Sequence, residues 1–103
     1  MAKFKLQPAP TFKAPVDIPV AGGASESVVF TFKWRDREGF IAFTEGLKGR
    51  STKDAVMDMA SGWDLDDPFN EENVQLMLDN YLGSFPAVLD KYVSELTKAK
   101  EKN

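Results

Sequence analysis

Residues 70–96 hold two amphipathic helical runs separated only by Leu82-Gly83-Ser84. A link that short permits little besides an antiparallel or sharply angled helix pair. Both runs carry start signals. Asn70 is a helix cap, and Glu71 and Glu72 behind it suit the positive end of a helix dipole. Val74, Met77, Leu78 and Tyr81 then recur at i, i+3, i+4 and i+7, one apolar stripe. Ser84 reads as the cap of the last helix. Pro86 fits its first turn, where the missing N–H would have no partner anyway, and Val88, Leu89, Tyr92, Val93 and Leu96 form the inner face.

Two more helices are expected upstream. The first spans Asp36 to Leu47, with Phe40, Phe43 and Leu47 on one side, Ile41 beside them and Gly49 as the stop. The second starts at Ser51, with Asp54 completing a variant capping box. Val56, Met59 and Ala60 are its apolar side and Gly62 its end.

Before Arg35 the period changes from helical to two. Phe12, Ala14, Val16, Ile18 and Val20 alternate with polar residues or proline, as a half-buried strand does. Val28, Phe30, Phe32 and Trp34 repeat the pattern after a turn-rich segment, so the two strands read as a β-hairpin with a loop of about six residues. Phe4 and Leu6 suggest a third short strand. Pro15 and Pro19 lack the N–H on the same strand edge, so that edge should face outward, unpaired and protected from edge-to-edge aggregation. The fold class is therefore α+β, a β-hairpin or three short strands followed by about four helices. At 103 residues it reads as one domain, with a β-rich section over 1–35 and a helical section over 36–100.

The chain contains neither Cys nor His. Disulfides, thiolate nucleophiles, Ser-His-Asp triads and His-based metal sites are thereby removed, and no cofactor or enzymatic activity is expected. Net charge is −3, which argues against a nucleic-acid partner. No apolar run approaches the roughly 18 residues a membrane helix needs, and no signal-peptide core is present, so a soluble cytoplasmic protein is expected. The basic residues of Lys98-Ala99-Lys100-Glu101-Lys102 read as the solvated end of the last helix.

Three constellations invite chemistry. The acidic loop with Asp64, Asp66, Asp67, Glu71 and Glu72 fails as a calcium loop, because the sixth position from Asp64 is Phe69 where a glycine is required. It reads as a solvated segment supplying negative charge to a helix start. Trp63 and Phe69 flank it, either as anchors to the core or as partner contacts. Phe30, Phe32, Trp34, Phe40 and Phe43 form a dense aromatic group that should bind the hairpin to the first helix. Lys33 and Arg35 are read as pointing away from it, which argues against a nucleic-acid platform. Gly22-Gly23 lacks phosphate-loop spacing and is turn chemistry.

The order Trp63-Asp64-Leu65, then Phe69-Asn70-Glu71-Glu72-Asn73, then a helix ending at Tyr81, a turn and a last helix containing Tyr92 resembles the phage tail assembly chaperones. The hairpin ending Phe30-Thr31-Phe32-Lys33-Trp34-Arg35 is similar to that family's N-terminal section. One departure is that many relatives have Tyr-Pro-Gly where this chain has Tyr81-Leu82-Gly83. The resemblance implies a non-catalytic protein of the infected cell that binds the tape-measure protein, keeps it soluble and helps bring tail-tube subunits to it. It also implies absence from the finished virion. Trp63, Leu65, Phe69, Tyr81 and Tyr92 are the candidate partner contacts, on the loop and the exposed side of the last two helices; self-association is left open. The alternative is a structural head-tail or tail-completion protein retained in the particle. Many such phages also make a longer, frameshifted form. Glu101-Lys102-Asn103 can be encoded by codons containing a slippery run, in which case this chain is the short form.

Overall fold

The computed structural model describes Phe4 and residues 6–98. Strand β1 (Thr11–Ile18) and strand β2 (Glu26–Lys33) form the expected antiparallel hairpin, paired from Thr11↔Lys33 to Ile18↔Glu26. Between them Gly23 N donates to Val20 O at 3.0 Å, closing a turn whose third residue, Gly22, has φ +76°. Glycine adopts that conformation without steric cost. Just past the strand ends, Trp34 N donates to Pro10 O at 2.9 Å, in register with the ladder. Even-numbered residues of β1 thus exchange hydrogen bonds with β2, and odd-numbered ones, Pro15 included, aim their amide positions at the free edge. Among the described residues β1 has no second neighbour, so the proline edge faces outward as its sequence requires.

Helices α1 (Arg37–Gly46), α2 (Thr52–Met59), α3 (Glu71–Asn80) and α4 (Ser84–Thr97) follow, with a single 3₁₀ turn over Leu47–Gly49 after α1. Three starts match the sequence signals. Gly39, Asp54 and Asn73 donate their backbone N–H to the side chains of Asp36, Ser51 and Asn70 at 2.8, 3.1 and 2.8 Å. The fourth does not. Gly83 occupies the cap position, and Ser84 is the first helical residue, fully buried, its hydroxyl without a hydrogen-bond partner. Gly83 is needed for room: a Cβ there would lie 3.0 Å from Pro19 Cγ.

The third strand is not where the sequence suggested. Phe4 and Leu6 are about 90% exposed and not in a strand. Instead α2 stops at Met59 and runs straight into β3 (Ala60–Trp63), antiparallel to β2 in the order β1-β2-β3. Gly62 is therefore a strand residue opposite Thr31, not a helix stop. Phe30↔Trp63 and Thr31↔Gly62 are followed by Phe32↔Ala60, which leaves Ser61 as the extra residue of a bulge. Four residues with a bulge show no alternation, so only the open edge of β2 reveals the strand.

Ala14, Val16 and Ile18 of β1 and Val28, Phe30 and Phe32 of β2 put one face of the sheet against the helices; the opposite residues are exposed or half-buried. Phe43, Val56, Met59, Val74, Val88 and Tyr92 complete the core. Burying each of Phe30 and Phe32 contributes about 1.5–3 kcal/mol. Ile41, expected beside the inner face of α1, is 47% exposed. The last helix ends in a left-handed Lys98, and the Ala99–Asn103 tail lies outside the described residues.

One polar network ties the layers together. Because β2 ends at Lys33, Arg35 is released from the strand alternation and turns inward. Its guanidinium lies 4.9 Å from the Phe43 ring centre and donates to Tyr92 Oη (2.7 Å) and to Asp58 O (2.9 Å). It also pairs with Asp58 Oδ1 at 2.7 Å, while Arg50 holds Oδ2 at 2.7 Å. The expectation that Arg35 points away from the aromatic group is thus corrected. Lys33 reaches Met57 O at 3.3 Å.

Candidate partner-binding surface

The acidic loop is pinned at both ends. Asp64 N donates to Val29 O at 3.0 Å, and the Asp64 carboxylate accepts Val29 N–H at 2.9 Å, so this residue extends the ladder of β3. The Trp63 indole donates to Asp67 O at 2.7 Å, and Asn73 Nδ2 donates to Pro68 O at 2.8 Å. Trp63 stands edge-on to Phe30 (5.8 Å) and to Phe69 (5.0 Å), which fixes the loop to the sheet. Lys53 on α2 meets Glu71 at 3.1 Å and steadies the start of α3. Asp64 and Glu71 are thus structural. Among the described residues no group of three or more acidic side chains is arranged to hold a metal ion.

A loop held this way presents Leu65 outward, 41% exposed, toward α3. Leu76 on α3 is 56% exposed, Tyr81 at its end 41%, and Leu82 beside it in the chain 85%. Trp63, Leu65, Leu76, Met77 and Tyr81, with the polar Asp67, Asn73 and Asn80, line a groove of about 260 Å³. A second hollow of about 270 Å³ adjoins it, floored by Ile18, Val20 and Val28. Leu65, Met77 and Tyr81 belong to both and form the ridge between them. Such a surface can bind apolar side chains.

The structure brings three of the five sequence candidates together here: Trp63, half-buried, with Leu65 and Tyr81. Phe69 sits behind Trp63 as its support and does not line the groove. Tyr92 lies elsewhere, in the core, with no exposed surface; as placed, it cannot be a surface contact. Tyr81 also departs from its expected place in the buried stripe of α3. The helix ends at Asn80, and Tyr81, at φ −127° and ψ 90°, swings out. No large apolar side chain of α4 is exposed among the described residues; apart from Phe4, Leu6 and Ile41, the exposed large apolar side chains lie on the loop, on α3 and in the link that follows it. Sequence reasoning missed Leu76, although a leucine between the stripe positions of Val74, Met77 and Leu78 was itself the signal.

A family model described as phage tail assembly chaperone matches residues 1–103, the whole chain. No curated protein and no solved structure matches.

Proposed function

Because the chain belongs to the phage tail assembly chaperone family, we propose that it binds the tape-measure protein in the host cytoplasm, keeps it soluble and helps recruit tail-tube subunits. It does so without catalysis and leaves before the virion is complete. The observation that supports this reading is the clustering of Leu65, Leu76 and Tyr81 along one groove, with Leu82 adjoining in sequence. Exposed apolar surface on a small folded chain marks an interaction site, and a client's exposed hydrophobic helix is the natural cover for it.

Co-expression with the same phage's tape-measure protein tests the reading. The client should move into the soluble fraction when this chain is present; a client equally insoluble with and without it sinks the proposal. Mass spectrometry of purified virions separates the alternative, because a structural component would appear there in fixed copy number. Expression of the native gene with its downstream DNA, followed by intact-mass analysis, tests the frameshift. A minor longer product sharing this N-terminus is expected, and a 103-residue product alone contradicts it.

A further inference from the structure

We propose that the groove on α3 takes a cationic amphipathic helix, with apolar side chains on one face and Lys or Arg along its flanks. This rests on the reading of that face as the client surface and specifies what kind of segment the client presents.

The argument comes from how charge is distributed. Residues 54–90 hold nine carboxylates and not one Lys or Arg, while the rest of the chain holds all thirteen basic residues against seven acidic ones. The nearly neutral net charge hides this division. The acidic stretch covers most of α2, then β3, the loop, α3 and the first half of α4. Asp54, Asp58 and Glu71 are met by Lys53, Arg35 and Arg50. Asp66, Asp67, Glu72 and Asp79 meet no cation among the described residues. The residues lining the two hollows include the carboxylates Asp67 and Glu26 and no basic side chain.

An apolar groove bordered by unpaired negative charge selects its occupant by sign. A helix with acidic flanks is repelled, and one with basic flanks is steered in and held in register. The two hollows, divided by the Leu65–Met77–Tyr81 ridge, suit apolar side chains projecting from successive turns of one helix, the usual mode of helix-in-groove docking.

Fluorescence anisotropy with dye-labelled synthetic peptides tests this on the full chain. Three peptides of about five helical turns share the same composition of leucine and alanine. One has lysine flanks, one glutamate flanks, and one is the lysine peptide scrambled to destroy its amphipathic face. The lysine-flanked peptide should bind about tenfold or more tighter than either other, and its affinity should fall as salt is raised. Leu76→Asn and, separately, Leu65→Asn should each weaken it by about tenfold or more, because both remove apolar contact without changing the charge of the groove and neither side chain belongs to the buried core. Equal binding of lysine and glutamate peptides, equal binding of the scrambled peptide, or affinity unchanged in both variants would each overturn the proposal. Sedimentation showing a dimer that Leu76→Asn converts to monomer would also overturn it, by making a second copy the occupant. The client reading fails separately: the tape-measure protein would stay insoluble on co-expression even if the lysine peptide binds.

Discussion

Tyr92 ties α4 to the end of β2 and to the link after it through one hydroxyl, which donates to Lys33 O at 2.8 Å and accepts from Arg35. Burial pushes its phenol up, so it stays protonated and able to donate. Tyr92→Phe leaves a carbonyl and a guanidinium N–H without their partner and should cost about 1–3 kcal/mol in urea denaturation. At Asp58, burial alone would raise the carboxyl; the hydrogen bonds and charges of Arg50 and Arg35 outweigh that and hold it below its ordinary value. Since its unfolded value is about 3.9, this stabilisation is complete above about pH 5 and is lost as pH falls through that range toward the folded value. Urea midpoints measured against pH should show a shallower acid limb for Asp58→Asn and a lower midpoint at neutral pH. Ser84→Ala should do the reverse of most core changes and stabilise by about 1 kcal/mol, because it removes a buried hydroxyl that lacks a partner. At this scale the sequence carried conflicting signals about Tyr92. Helical periodicity put it on the inner face of α4 while the resemblance offered it as a contact, and the structure sides with periodicity. Arg35 was illegible because its orientation depends on where β2 stops.

Among the elements, those with a period and a cap were legible: the hairpin, α1 from Asp36, α2 from Ser51 and α3 from Asn70. β3 was not, since its four residues are held by the edge of β2 rather than by any preference of their own. The boundary at Tyr81 failed for a related reason, because a stripe tells which side is apolar but not where the helix unwinds. The proline edge of β1 was legible because an absent N–H is a constraint written in the sequence. Pro15→Thr restores that donor. It should leave urea stability within about 0.5 kcal/mol yet raise light scattering at high concentration, by opening an edge for strand pairing. Unchanged scattering would mean that something other than the proline guards this edge.

Across the whole molecule, the sheet and α4 build a core, and the loop and α3 turn an apolar, acid-bordered face outward. The sequence pointed to the loop, through Trp63, Leu65 and Phe69, and to Tyr81. It did not reveal that Leu65 and Tyr81 line one groove with Leu76, because that arrangement depends on β3 placing the loop against α3. The division of charge between residues 54–90 and the remainder was open to view and needed only the structure to give it a location. The central claim is that partners are held on this face. Hydrogen–deuterium exchange on the chain alone and in complex with its tape-measure protein tests it most directly. Slowed exchange over residues 63–67 and 71–82, with the β1 edge unchanged, is the predicted result. Protection confined to β1 and α4, with α3 exchanging as in the free chain, would contradict it.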